Sequence, residues 1–147
     1  MHVPLIRLRH LLPRAAGEKG MNSAADYLRA RSAEFERELP GECVGEVCIV
    51  ARALVADGER PWIGRIRDRR DTYSGPLYPI RFYGRNAPAW TTHYVCCAGD
   101  VAFDPLIGEP VPVHDVAERL FGRALEVERF AEWSNEAELR NAVRKAL

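Results

Sequence analysis

Three residues of the chain have the types and the order that a thiol nucleophile requires. Cys43 comes first, at the start of a predicted helix. His93 and Asp104 follow, one on each strand of a predicted β-hairpin. In such a set the cysteine attacks a carbonyl carbon, the histidine transfers protons, and the carboxylate orients the imidazole ring. The pattern therefore favours acyl transfer from an amide.

The surroundings of Cys43 favour a reactive thiol. Because Pro40-Gly41 stops a preceding helix, Cys43 is predicted to lie in the first turn of the next one, where backbone N–H groups have no helical partner. Those groups lower the pKa of a thiol, as a nearby histidine does, and they can also hold an oxyanion. We expect Gly41 and Glu42, directly before the cysteine, to contact substrate.

The predicted hairpin can bring His93 and Asp104 together only in one register. With a two-residue turn at Gly99-Asp100, Ala98 pairs with Val101. His93 and Asp104 are then diagonal neighbours on one face, about 7–8 Å apart at the backbone, which a ring-to-carboxylate hydrogen bond can span. A three-residue turn would move Asp104 to the opposite face. The predicted triad thus depends on the turn.

Other elements follow from periodicity and from end signals. Ser23 is predicted to cap a helix over residues 24–38, and a second, apolar helix over 43–56 is predicted to be buried centrally. Besides the hairpin at 91–104, strands are predicted at 61–67, 80–83 and 124–130. Helices are predicted at 115–121 and from residue 135 to the end of the sequence, where Asn135 and Glu138 form a capping pair. Helices, then strands, then helices predict an α+β fold with an antiparallel sheet.

Composition excludes several functions. The chain has 147 residues with 21 basic and 21 acidic side chains, so its charge favours neither a nucleic acid nor an anionic membrane as partner. No apolar run is long enough to span a bilayer. The four cysteines do not suggest a disulfide framework, and their spacing is not typical of zinc ligands. We therefore expect a reducing compartment, no metal and no cofactor.

Two further segments carry alternatives. Residues 1–20 are basic and interrupted by prolines, so they are expected to form an N-terminal arm rather than a secretory signal, ahead of a single domain over 21–147. Trp90, three residues before His93, is expected to shield the imidazole or to floor a substrate groove, although a core position is equally compatible with the sequence.

The motifs together resemble a family. They are similar to the papain-like superfamily in its transglutaminase-type arrangement, and most of all to small bacterial papain-fold domains of toxins and effectors, including protein glutamine deamidases. Three motifs over about residues 41–110 carry the resemblance: Gly41-Glu42-Cys43, His93-Tyr94-Val95 and Val101-Ala102-Phe103-Asp104-Pro105. The chain departs from papain itself because it contains no glutamine to complete the oxyanion hole.

The resemblance implies a papain-like fold, in which a central helix bearing Cys43 packs on an antiparallel sheet carrying His93 and Asp104. It also implies a cysteine-dependent amide hydrolase, either a protein glutamine deamidase or a peptidase, acting on a protein or peptide. A catalytically silent binding domain and a transglutaminase-type acyltransferase remain the alternatives. A cytoplasmic location is expected, or export as an effector without a classical signal peptide.

Overall fold

The computed structural model describes residues 22–86 and 89–147, so the expected arm over residues 1–20 lies outside the described residues. The described helices are α1 (Ser23–Glu34), α2 (Cys43–Ala56), α3 (Val113–Phe121) and α4 (Glu136–Lys145), with one 3₁₀ turn at Ile80–Phe82. The described strands are β1 (Pro61–Ile66), β2 (Asp68–Arg69), β3 (Ser74–Gly75), β4 (His93–Ala98), β5 (Val101–Phe103), β6 (Val111–Pro112) and β7 (Val127–Glu132).

Five of these strands form one antiparallel sheet in the order β6-β5-β4-β1-β7, while β2 and β3 form a separate hairpin. The helices before and after the main sheet make this an α+β fold, as the order of elements predicts. β4 is the middle strand and is buried along its whole length. The strand that begins with His93 is therefore the most enclosed part of the sheet.

Each face of the main sheet has its own hydrophobic core. On one face, α1, α2 and α4 cover alternate residues of β1, β4 and β5, including Ile63, Cys96 and Phe103. On the other face, α3 and the segments around Leu77 and Leu106 cover the intervening residues. Because side chains alternate across a strand, the two cores meet only where strands end.

Helix α2 begins and ends at the predicted residues. Glu42 before it has an extended backbone, and Gly58 after it has a φ of +86°, which glycine adopts without strain. Six apolar residues of α2 are buried on one side of the helix, whereas Ile49 and Val55 are 39% and 51% exposed, so α2 is less enclosed than its apolar pattern predicts. This burial fixes the first residue of the helix, Cys43, against the sheet.

The N-terminus of α1 is not capped as predicted. Ser23 is the first helical residue rather than the cap, and Asn22 before it makes no side-chain cap bond. Instead the buried carboxylate of Asp57, at the end of α2, accepts the backbone N–H groups of Ser23 at 2.7 Å and Ala24 at 3.0 Å. An acidic side chain distant in sequence therefore satisfies the free donors of the helix.

The predicted hairpin has the predicted register. Ala98 pairs with Val101 and Cys97 with Ala102 across the two-residue turn Gly99-Asp100. The strand predicted at 80–83 is wrong, because Ile80–Phe82 form a 3₁₀ turn. Leu77, just before this segment, forms a single β-bridge to Trp90. Within the described part of the chain, residues 80–83 pair with no strand, so they are not part of a sheet.

The remaining elements differ from their predicted bounds by a few residues. α1 ends at Glu34 rather than near residue 38, and β7 covers Val127–Glu132 rather than 124–130. Gly122 ends α3 with a φ of +70°, and the side chain of Asn135 accepts the N–H of Glu138 at 2.9 Å at the start of α4. Both of these local end signals are as predicted.

Candidate active site

Cys43 is the first residue of α2 and is half-buried. The side chain of Glu42 makes no cap bond to the helix, because its carboxylate pairs with the guanidinium of Arg140 in α4. The backbone N–H groups in the first turn of α2 are therefore not occupied by that carboxylate. They lie beside a thiol, as the sequence predicts.

His93 and Asp104 form a buried pair. His93 Nε2–H donates to Asp104 Oδ2 at 2.7 Å, and the two residues are only 2% and 3% exposed. The other carboxylate oxygen, Oδ1, accepts the backbone N–H of Leu106 at 2.8 Å. Because both oxygens have a partner, the carboxylate is held in one orientation and holds the imidazole in turn.

The second ring nitrogen of His93, Nδ1, remains for the thiol. Nδ1 is buried and has no formed hydrogen bond within residues 22–86 and 89–147. The Cys43 thiol is nevertheless near enough to the ring that each group shifts the pKa of the other. A contact looser than a formed hydrogen bond is common in a catalytic pair that holds no substrate.

The two groups shift each other toward a charged pair. Burial alone would raise the pKa of the Cys43 thiol, but the nearby imidazole of His93, through its polar contact and its charge, and the Tyr94 backbone lower it below its ordinary value. Burial alone would lower the pKa of His93, but the charge and hydrogen bond of Asp104 and the nearby Cys43 raise it to about 10. This arrangement favours a thiolate beside an imidazolium.

The other three cysteines are different. Cys48, Cys96 and Cys97 are each at most 1% exposed, and burial raises the pKa of each thiol. All four cysteines are free. No cluster of three or more His, Cys, Asp or Glu side chains that could hold a metal occurs in the described part of the chain. Of the four cysteines, Cys43 alone is partly exposed and has a lowered thiol pKa.

Trp90 stacks on the imidazole of His93. The ring centroids are 5.0 Å apart with an interplanar angle of 18°, and Phe121 from α3 packs its edge against the same imidazole at 5.6 Å. Two backbone hydrogen bonds to Leu77, of 2.7 and 3.0 Å, hold Trp90 in place. Trp90 thus stacks on the imidazole, lines the cleft and also packs, partly buried, against the core on that face of the sheet.

All six predicted site residues line one cleft. Gly41 and Glu42 form its exposed rim, and Cys43, Trp90, His93 and Asp104 line its interior. The cleft opens where the two cores meet. Cys43 packs against the core that includes α2, whereas Trp90 and Phe121, whose rings contact His93, belong to the other core.

Several lining residues were not predicted. They are Phe35, Pro40, Glu46, Val47, Tyr94, Val95, Cys96, Phe103, Pro105 and Leu106. Glu46 is tied down, because its carboxylate accepts the hydroxyl of Tyr27 at 2.5 Å and Nε–H of Arg31 at 2.9 Å. Tyr94 could have been found from its place beside His93, whereas nothing in the sequence marks Phe35 or Phe121.

No family model, curated protein or solved structure matches this chain. Among the described helices, none has the length and apolar character needed to cross a membrane. The function of the protein is therefore inferred from the geometry of the cleft.

Proposed function

We propose that this chain is a cysteine-dependent amide hydrolase with a Cys43-His93-Asp104 triad, acting on a protein glutamine side chain or a peptide bond. One observation carries the proposal: the 2.7 Å bond from His93 Nε2 to Asp104 Oδ2 leaves the buried Nδ1 for the thiol at the start of α2. A buried histidine with a purely structural role is expected to form hydrogen bonds through both ring nitrogens, because a buried polar atom without a partner costs free energy.

The first half of the reaction forms a thioester. The Cys43 thiolate attacks the amide carbonyl carbon, and the carbonyl oxygen becomes an oxyanion. Backbone N–H groups in the first turn of α2 are the donors available for it, since the chain has no glutamine. The His93 imidazolium then gives its proton to the leaving nitrogen, and the carbon–nitrogen bond breaks.

The second half regenerates the thiolate–imidazolium pair. The neutral His93 takes one proton from water as the water oxygen attacks the thioester, the thiolate leaves, and the carboxylic acid product loses its remaining proton to the solvent. Asp104 keeps its charge throughout and stabilises each imidazolium that forms. Ammonia is released when the substrate is a glutamine side chain, and an amine is released when it is a peptide bond.

A papain-like architecture is part of the proposal. Three features support it: the nucleophile begins a helix buried against an antiparallel sheet, the histidine begins the middle strand, and the aspartate follows the adjacent strand. The chain order Cys, His, Asp is the order implied by the resemblance to papain-fold effector domains. Because the same triad logic occurs on unrelated folds, the chemistry does not depend on this assignment.

The test offers the protein both glutamine side chains and peptide bonds as substrates and measures three products. Dimethylated casein is incubated with the wild type and with Cys43→Ala, and released ammonia, new α-amino groups and incorporation of a fluorescent primary amine are measured. We expect ammonia or new α-amino groups with the wild type only. Amine incorporation that suppresses ammonia would indicate acyl transfer to amines instead of water.

Two controls accompany this test. Cys48→Ala removes a buried thiol that does not line the cleft, and it should leave product formation unchanged. His93→Ala should abolish product formation as Cys43→Ala does. Equal product from wild type and Cys43→Ala would contradict the proposed function, and binding of casein without turnover would favour a silent binding domain.

A further inference from the structure

Three exposed apolar side chains are concentrated beside the cleft. Tyr78, Ile80 and Tyr83 are 53%, 41% and 62% exposed, and we call them the aromatic patch. Their neighbours Leu77, Pro79 and Phe82 are buried, so the segment presents one face to the core and the aromatic patch outward. Tyr78 and Tyr83 line one surface groove together with Pro79 and Phe82, and grouped apolar exposure of this kind marks interaction surfaces more often than scattered residues do.

The segment that carries the aromatic patch is tied to the walls of the cleft. Phe82 packs edge to face on Phe35, a cleft residue, with ring centroids 6.1 Å apart. Leu77 is bonded through its backbone to Trp90, which stacks on His93. The segment that presents the patch outward is therefore anchored through its buried side to two cleft-lining residues, Phe35 and Trp90.

The charged side chains of this segment are occupied internally. The Arg81 guanidinium donates to the carbonyl of Leu106 at 3.0 Å and to the hydroxyl of Ser32 at 2.7 Å. The Arg85 guanidinium donates to the carbonyl of Phe35 at 2.8 Å. Arg81 also pairs with the exposed Glu36 at 3.3 Å. Because the two cations of residues 77–86 are directed at other parts of the chain, the outward surface of this segment consists mainly of rings and hydroxyls.

We propose that the aromatic patch binds an apolar, uncharged stretch of polypeptide that flanks the amide acted on in the cleft. The inference rests on the proposed function, since it assigns that reaction a protein or long-peptide substrate rather than a small free amide. Tyrosine suits this role because its ring buries area at low entropic cost and its hydroxyl bonds peptide groups. Neither hydroxyl, of Tyr78 or Tyr83, bonds another residue within the described ranges.

Three probes with one reactive group test the proposal. Each carries a chloroacetamide at the end of a glutamine-length side chain, from which the Cys43 thiolate displaces chloride to form a thioether. The first probe is a single blocked amino acid, the second a peptide with leucine and phenylalanine flanking the reactive group, and the third a peptide of equal length with serine and glycine. Second-order rate constants at Cys43 are read by mass spectrometry.

The expected result is a preference for the leucine–phenylalanine peptide over the serine–glycine peptide by about tenfold, the range that buried interface tyrosines contribute. The double variant Tyr78→Ser/Tyr83→Ser should abolish this preference while leaving the small probe unchanged. Tyr73→Ser is the matched control, because Tyr73 is 60% exposed, lies outside the cleft walls and contacts Arg70. That variant should keep the full preference.

Two results would overturn the proposal: equal rates with both peptides in the wild type, or a preference that survives in the double variant. Failure of the proposed function has a different signature. In that case the small probe would react with Cys43 equally in the wild type and in His93→Ala, whatever the ratio between the two peptides.

Discussion

His93 Nε2 lies 2.7 Å from Asp104 Oδ2, and this hydrogen bond gives the two nitrogens of the imidazole different roles. One nitrogen is committed to a carboxylate that is itself fixed by the backbone N–H of Leu106. The other nitrogen is buried and is left to exchange a proton with Cys43 or with substrate. The proposed chemistry follows from this division.

Replacing Asp104 with asparagine should lower the pKa of His93. The Asp104 carboxylate is the largest influence that raises this pKa to about 10, so removing its charge favours the neutral ring. Cys43→Ser should lower the pKa less, because the thiol contributes after Asp104. Histidine NMR titration measures both effects. An unchanged or higher His93 pKa in Asp104→Asn would contradict this cause.

Replacing Trp90 with alanine should slow the reaction of Cys43 by up to about tenfold, because the stack at 5.0 Å that orients and shields the imidazole is lost. Trp90→Phe keeps an aromatic face and should retain most of the rate. The measurement is the second-order rate of Cys43 alkylation at neutral pH, with thermal unfolding as a check on folding. Equal rates in Trp90→Ala and wild type would show that the ring only packs.

Replacing Asp57 with alanine should lower the free energy of unfolding by about 2 kcal/mol, since two backbone N–H groups at the start of α1 lose a charged acceptor. Urea denaturation measures the change. Asp26→Ala is the control, because Asp26 is 67% exposed and its carboxylate pairs with the exposed Arg29, so its loss should cost less than about 1 kcal/mol. Equal losses would refute the assigned cap.

Replacing Gly64 with alanine should destabilise the fold by about 1–3 kcal/mol. An added Cβ would lie 2.5 Å from Val127 Cγ1 and 3.2 Å from Val95 Cγ1, so β1 and its neighbours would have to shift. Gly45→Ala is the matched control within helix α2, where the added Cβ would lie 3.9 Å from Arg140 Nη2, an ordinary van der Waals distance. That change should stabilise by up to about 1 kcal/mol.

Local signals made the main features of the site predictable. The stop at Pro40-Gly41 fixed the start of α2 at Cys43, and the two-residue turn at Gly99-Asp100 fixed the parity of the hairpin. Since side chains alternate along a strand, that parity alone decided whether His93 and Asp104 could meet. These predictions depend only on neighbours in sequence, which is why they hold.

Features that depend on distant residues were not predictable. The cap on α1 comes from Asp57, 34 residues after Ser23, so the nearby serine was a misleading signal. The segment at 80–83 has strand-forming residues, but Arg81 is bonded to Ser32 and Leu106, which belong to other parts of the chain. Phe121 reaches His93 from α3 for the same kind of reason.

The pH dependence of Cys43 alkylation by iodoacetamide, in the wild type and in His93→Ala, tests the central claim most directly. Because His93 lowers the pKa of the thiol, the wild type should react at Cys43 at a lower pH than an ordinary cysteine does, while Cys48, Cys96 and Cys97 stay unmodified in the folded protein. In His93→Ala the rise should move to higher pH. A Cys43 profile typical of a free thiol and identical in both proteins would contradict the account.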